Sequence, residues 1–295
     1  MRLYIVVPTR GRRNHCGLVV QYFGETARSF VCLKSVRHFT NEVFVVDSGS
    51  TDNTLAIART YSVYIVENPF ENYSQQRNWA LDNLPITHEW VLHLDADHRV
   101  TDELSDNLRN WFAETIPDTL NGFLISRRTI FMGKWIRFGG HYPVYHAVLF
   151  RKNRGRCEEK IYDQHFIVEG RVQKIKGDII NVFDDPLERF TERHNRWSTL
   201  EANELSGGGP AESMHLVSAD ITGNSIQKRR YLKSIYERFP LFVRPFIYFF
   251  IRYFLRLGFL DGRRGLIFHF LQGFWFRFLI DAKVYELRHN KSKQP

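Results

Sequence analysis

Glu42-Val43-Phe44-Val45-Val46-Asp47-Ser48-Gly49-Ser50-Thr51-Asp52-Asn53-Thr54 is an apolar run that stops in a polar turn. Glu42 to Val46 reads as a buried strand, because short β-branched and aromatic runs suit one. Ser48 and Gly49 permit a tight turn, and Thr51 or Asp52 can cap a helix after it. The same grammar recurs on both sides. Leu3 to Val7 is a strand candidate that stops at Pro8, Ser62 to Val66 is another, and Trp90 to Leu94 is a fourth, ending at Asp95. Helix-like stretches lie between them at Glu25 to Val36, Thr54 to Thr60 and Ser74 to Leu84. Strand and helix alternating at this pitch predict an α/β fold, a Rossmann-like, mostly parallel sheet flanked by helices. Polar residues gather just beyond the strand ends, the edge where open α/β sheets bind ligands.

Further along, Gly122 to Arg128 and Ala147 to Phe150 read as strands, and Phe190 to Glu204 as a helix. Ser206-Gly207-Gly208-Gly209-Pro210 is a linker signal. The expected organisation is a catalytic domain over 1–205, divided into halves at 1–100 and 101–205, then a linker over 206–235 and a helical region over 236–295. From Phe239 to Leu279 the chain is mostly Phe, Leu, Ile, Tyr and Arg. Arg244, Arg252, Arg256, Arg263, Arg264 and Arg277 interrupt every apolar run before it reaches the length of a membrane span. Apolar bulk punctuated by arginine suits helices lying in a membrane interface. An aromatic-rich helical pair packed on the main domain is the competing reading.

With 295 residues, 43% of them hydrophobic, the chain can bury a sizeable core. A net charge of +9 calls for an anionic partner: nucleic acid, an acidic membrane surface or a phosphorylated substrate. Cys16, Cys32 and Cys157 have no metal-type spacing and read as reduced thiols of a cytosolic setting. Leu3 to Val7 is too short for a secretory signal.

Asp95-Ala96-Asp97 is the sharpest chemical feature. Two carboxylates at a strand end repel each other unless a cation sits between them or the turn splays them. Hard ions such as Mg²⁺ take carboxylate oxygens together with substrate phosphates. An exposed acidic turn is the alternative, and His98 could be a further ligand. Asp47, Ser48 and Asp52 form either a plain β–α turn or a place to bind a base or ribose. Ser74 is a plausible N-cap. It would put Arg77 in a first helical turn, where a cation works against the helix dipole unless an anion holds it. Asp163 in Tyr162-Asp163-Gln164-His165-Phe166 is a candidate general base, with an ordinary loop aspartate as the alternative. Glu158 and Glu159 compete for that role. His165 could orient a phosphate or be structural. Arg193 and Arg196 lie three apart on a predicted helix, with Trp197 beside them; they could hold a diphosphate and stack a sugar, or form a basic surface.

As a set, these motifs resemble the family-2 glycosyltransferases of GT-A fold. The resemblance rests on Pro8-Thr9, on Val45 through Thr54, on Gln76-Arg77-Asn78 and on Leu94-Asp95-Ala96-Asp97. The Asp163 segment and Arg193 to Trp197 are similar to the family's base loop and its R/Q-x-x-R-W element. Gly258-Phe259-Leu260-Asp261-Gly262-Arg263-Arg264-Gly265 resembles the C-terminal region of bacterial members that build lipopolysaccharide cores and exopolysaccharides. The resemblance implies that 1–100 is a nucleotide-sugar half and 101–205 an acceptor half. It implies that Pro8, Thr9, Asp47, Ser48, Asp52, Arg77 and Asp95 bind the donor, a UDP- or GDP-sugar. Asp97, with Asp95, would hold Mg²⁺ or Mn²⁺, and Asp163 would be the base. His165, Arg193, Arg196 and Trp197 would meet the acceptor or diphosphate. The acceptor would be a glycan or lipid-linked sugar, and the enzyme would sit in the cytoplasm, peripheral at the inner face of the membrane. Two departures stand out. The family has Asn-Glu soon after its first strand, whereas here Arg10-Gly11-Arg12-Arg13 follows Thr9 and Glu25 comes late, as though a segment were inserted. His98 stands where close relatives often have Glu.

Other classes fit less well. Nucleic acid would be repelled by two acidic turns at strand ends, so no nucleic-acid partner is expected. A nicotinamide dehydrogenase needs Gly-x-Gly-x-x-Gly after its first strand, which Thr9-Arg10-Gly11-Arg12 does not supply. A nucleotidyltransferase acting on a sugar phosphate shares the sheet and the metal and is the nearest enzyme rival. A non-catalytic scaffold with a degenerate site is the remaining alternative.

Overall fold

The computed structural model describes residues 16–21, 26–36, 43–61, 63–183, 185–208 and 216–291. In chain order its elements are β1 (Cys16–Gln21), α1 (Thr26–Val36), β2 (Val43–Asp47), α2 (Thr54–Thr60), β3 (Tyr64–Glu67), α3 (Tyr73–Asn83), β4 (Trp90–Asp95), β5 (His98–Val100) and α4 (Asp102–Ala113). There follow β6 (Leu120–Phe131), β7 (Lys134–Ile136), β8 (Val144–Arg151), β9 (Gly155–Cys157), β10 (Phe166–Val168) and β11 (Arg171–Phe183). The remainder is helical: α5 (Leu187–Asn203), α6 (Ser225–Arg238), α7 (Val243–Phe250), α8 (Gly262–Phe268) and α9 (Phe276–Lys291). The architecture is the α/β sheet flanked by helices that the sequence predicts. The main sheet runs β3-β2-β1-β4-β8-β6-β11-β5, with β7 paired to β6. The pairs β2–β3, β1–β2 and β1–β4 are parallel, while β4–β8 and β11–β5 are antiparallel, so the sheet is parallel at one end and mixed beyond β4.

Leu3 to Val7, Pro8 and Thr9 lie outside the described residues. The strand between β2 and β4 is Cys16–Gln21, with Val20 opposite Val45 on one side and Leu94 on the other. Glu25 comes four positions after β1 in the sequence.

The chain divides into two compact units. The first comprises 1–127, 145–158 and 165–181. Its strands are apolar on both faces because helices cover both. Val43, Val45, Trp90, Leu92 and Leu94 enter one cluster with Cys32, Leu33 and Val36 of α1 and Leu104 and Leu108 of α4. Phe44, Val46 and Val91 enter the other with Ala80 and Leu81 of α3 and with Phe150 and Phe166. The period-2 alternation of side chains sends successive residues of β2 to opposite layers.

The second unit comprises 128–144, 159–164 and 182–295. It cuts across the boundary expected at residue 205, because α5 packs with the C-terminal helices. Ala202 of α5 is buried with Phe276, Ile280 and Val284 of α9, and Trp197 and Tyr162 pack against that cluster. The segment expected as a linker over 206–235 contains the start of α6. Asn224 caps that helix in a reciprocal box with Gln227. A buried ion pair ties α7 to α9: Arg244 Nε donates to Asp281 Oδ1 at 2.8 Å, and Asp281 Oδ2 accepts the Phe242 N–H at 2.8 Å.

Candidate active site

The parallel strands β2 and β4 deliver their terminal aspartates to one edge of the first unit. Asp47 is buried, and its Oδ2 accepts the main-chain N–H groups of Gly49 (2.9 Å) and Ser50 (2.7 Å). Gly49 has φ +90, a left-handed conformation that favours glycine and lets the chain fold back onto this carboxylate. The N-cap of α2 is Asn53, which makes no side-chain capping bond, rather than Thr51 or Asp52; Asp52 Oδ1 accepts the Thr54 N–H at 3.0 Å from one position earlier. The turn is tied to α3 by Gln76 Nε2, which donates to Ser48 Oγ at 3.1 Å.

The N-cap of α3 is Asn72, not Ser74. Asn72 Oδ1 accepts the Gln75 N–H at 2.9 Å, while Ser74 lies inside the helix and donates to the Glu158 carbonyl at 2.5 Å. Arg77 still falls in the opening turns, and the anion its position calls for is Asp95: Nη2 to Oδ1 is 3.2 Å. The guanidinium also lies near the rings of Phe166 (5.5 Å) and Tyr73 (5.8 Å) and near Cys157 Sγ (3.9 Å). Burial pushes the Asp95 carboxyl up, but Arg77 and then His98 outweigh it and hold it below its ordinary value. Asp95 is therefore a fixed anion.

One ligand atom each from Asp95, Asp97 and His98 lies within 4.8 Å of the others. Two carboxylates at a strand end fit a hard divalent ion that completes its shell with water and phosphate oxygens. His98 does not fit as a ligand. Its Nδ1 accepts the Asp95 N–H at 3.0 Å, which leaves the proton of the neutral ring on Nε2 and no lone pair for a metal. His98 instead positions the acidic turn from behind. Burial lowers its pKa against the pull of Asp95 and Asp97, which favours that neutral form.

His165 also belongs to the first unit. Its main-chain N–H donates to Glu158 Oε2 at 2.8 Å, and its Nδ1 lies 3.3 Å from the same oxygen. The His146 ring stacks on it at 6.0 Å. Glu158 is fully buried, so it holds the loop and the imidazole rather than facing a substrate. Residue spacing carries no sign of this pairing, because Glu158 and His165 meet across the β9–β10 turn.

Asp163 belongs to the second unit, in a left-handed conformation (φ +57). Its Oδ2 lies 3.2 Å from Lys233 Nζ and 3.6 Å from Arg230 Nη1, both on α6. Lys233 also reaches Glu201 at 2.8 Å, which Arg277 meets at 3.2 Å. Burial pushes the Glu201 carboxyl up, but Arg277 and Lys233 outweigh it and hold it low. Arg193 pairs with Asp185 (2.9 Å) and lies between the rings of Phe183 and Trp197, at 5.5 and 5.4 Å. Arg196 is exposed and takes no part in that stack. The expected pair of guanidiniums beside an indole is thus one guanidinium, already paired.

Residues 19–156 match the sequence profile of glycosyl transferase family 2. The profile begins inside β1, after Pro8 and Thr9. An uncharacterised glycosyltransferase of Rickettsia typhi is 25% identical over 251 residues, 79% of this chain and 82% of that protein. The lipopolysaccharide core biosynthesis glycosyltransferase LpsC of Rhizobium meliloti is 25% identical over 272 residues, 90% of this chain and 89% of its own. Among solved structures, the mannosyltransferase PcManGT of Pyrobaculum calidifontis, in complex with GDP-Man and Mn²⁺, aligns over 94% of this chain and 87% of its own. The identity is 14% and the TM-score 0.45.

Proposed function

From the match of residues 19–156 to glycosyl transferase family 2 we propose that the chain moves a sugar from a UDP- or GDP-sugar to a hydroxyl of a glycan or lipid-linked acceptor, inverting the anomeric centre. The likeness to LpsC supports a bacterial surface polysaccharide as the product. The observation that carries the reading is the acidic turn at the end of β4, with Asp95 fixed by Arg77 and Asp97 two residues on. Asp97, with Asp95, holds Mg²⁺ or Mn²⁺. When bound, the ion offsets charge that grows on the leaving diphosphate. Asp47, Ser48 and Asp52 shape the nucleotide side of the pocket through their turn. Arg77 keeps Asp95 ionised and aimed. Asp163 takes the acceptor proton, and His165, Arg193, Arg196 and Trp197 contribute to acceptor or diphosphate binding. The test is nucleotide release from a panel of UDP- and GDP-sugars, with Mn²⁺ or chelator. Metal-dependent release of nucleoside diphosphate is expected. Pyrophosphate would instead indicate a nucleotidyltransferase, and neither product a scaffold.

The second unit carries the proposed site of membrane attachment, at an anionic cytoplasmic leaflet. No helix among the described residues is long and apolar enough to cross a membrane. Yet Phe246, Phe250, Phe254, Leu257, Phe259 and Leu260 are exposed, and Leu255 is 65% exposed. The arginines of this region divide by role. Arg244 is buried on Asp281, Arg252 donates to the Gly139 carbonyl and Arg277 pairs with Glu201. Arg256, Arg263 and Arg264 are exposed among the apolar side chains. Each is worth about 1 kcal/mol at an anionic surface, and inserted phenylalanines add to it. Removing everything after Gly209 would strip α9 from α5, so point variants are the cleaner probe. Changing Arg256, Arg263 and Arg264 together to Gln is expected to abolish flotation with phosphatidylglycerol-containing vesicles while thermal stability holds. Flotation equal to the unmodified protein would rule out the attachment site.

A further inference from the structure

Asp163 is gripped by two cations of one helix. Lys233 Nζ lies 3.2 Å and Arg230 Nη1 3.6 Å from its Oδ2, and Arg230 Nη2 donates to the Asp163 carbonyl at 3.3 Å. Lys233 and Arg230 stand three apart on α6 and so share a face. The Asp163 side chain is 39% exposed, open enough to meet a substrate hydroxyl. A carboxylate between two cations gives up its charge reluctantly, which makes it a weak acceptor of protons. That conflicts with the work of a general base, whose strength falls as its conjugate acid strengthens.

Glu201 of α5 answers the conflict. Lys233 Nζ lies 2.8 Å from Glu201 Oε1, nearer than it lies to Asp163. The Glu201 side chain is 4% exposed, so it faces the protein interior and not a substrate. Arg277 of α9 meets both of its oxygens, at 3.2 and 3.4 Å. Burial pushes the Lys233 ammonium down, but Asp163 and then Glu201 outweigh it and hold it protonated. One lysine charge is thereby divided between an exposed carboxylate and a buried one. Lys160 and Glu204, also beside this loop, pair with each other at 2.5 Å.

Such a network is a poor way to hold helices together. A buried ion pair loses about as much in desolvation as it gains, and apolar residues of the same volume do as well. An apolar contact already joins the loop to α5 and α9: Ala202 is buried with Phe276, Ile280 and Val284, and Tyr162 packs against them. The charges therefore call for another role.

We propose that Lys233 and Glu201 are positioning residues for the transfer reaction: Lys233 keeps the Asp163 carboxylate ionised and aimed, and Glu201 takes up part of the lysine charge so that Asp163 stays basic enough to accept the proton. This rests on the reading of Asp163 as the base.

The experiment follows the Asp163 carboxyl by ¹³C NMR of the full chain labelled at its aspartate carboxyls, with the signal assigned by its loss in Asp163→Asn. Lys233→Met is expected to raise the titration midpoint by about one pH unit, the low end for a neighbouring charge because Arg230 remains. Glu201→Gln is expected to lower it, since a like charge is removed and Lys233 turns wholly to Asp163. Lys233→Arg is expected to restore the unmodified midpoint. The acid limb of sugar transfer, where the base becomes protonated, should move to higher pH in Lys233→Met and to lower pH in Glu201→Gln. A purely structural role would lower the melting temperature of both variants and leave the midpoint in place, and that result would overturn the proposal. Midpoints moving the same way in both variants would overturn it too. Should Glu201→Gln not fold, the contrast of Lys233→Met with Lys233→Arg decides alone. If the midpoints move apart but the acid limb does not follow, the charge sharing stands and Asp163 is not the base.

Discussion

Asp97→Asn is expected to lower metal-supported sugar transfer by about 10²–10⁴-fold, the equivalent of losing several kcal/mol of charge stabilisation. The substitution keeps the size of the side chain and removes only its charge. β4 is held by Trp90, Val91, Leu92 and Leu94, and the turn behind it by His98. The melting temperature should therefore hold while Mn²⁺ affinity, read by calorimetry or electron paramagnetic resonance, falls. Asp95→Asn should give a different result. It removes the partner of Arg77 as well as a carboxylate, so stability and donor binding should fall together. Full activity of the unmodified enzyme in excess chelator would refute the metal assignment.

Asp163→Asn is expected to abolish transfer by about 10²–10⁴-fold, the usual span for a general base, while nucleotide-sugar binding persists. Among neutral residues other than glycine, asparagine is one that tolerates the left-handed backbone of this position, so the loop should keep its shape. Lys233 retains Glu201 as a partner when the aspartate charge is lost. In the proposed reaction, the acceptor oxygen attacks the anomeric carbon as the bond to the diphosphate breaks, and the hydroxyl proton passes to the carboxylate. Lys233 and Arg230 both address Oδ2 and hold the carboxylate in place. Glu158→Gln should chiefly loosen the His165 loop, since Glu158 is buried and occupied by His165, and Glu159→Gln should be mild. Normal transfer by Asp163→Asn would place the base elsewhere. A product of retained configuration would exclude single displacement altogether.

Much of the first unit is legible in the chain. β2, β4 and α2 fall within one residue of their expected limits, because each is a short apolar or helical run ending at a strong turn or cap. The first strand cannot be placed the same way. Cys16 to Gln21 is placed by its register between β2 and β4, which no local pattern carries. The cap of α3 is ambiguous in sequence because Asn72 and Ser74 are both good caps, and the choice turns on Ser74 finding the Glu158 carbonyl, 84 residues away in sequence.

The sequence by itself determined the α/β class, the acidic turns at the strand ends and the need of Arg77 for an anion. These follow from local periodicity, turn chemistry and charge, which act over a few residues. The tertiary structure alone decided that the anion is Asp95, that His98 supports the turn instead of offering a ligand, and which arginines of the tail are buried. Those outcomes depend on distant segments competing for the same donors and the same space, and a linear pattern carries no record of which pairing wins.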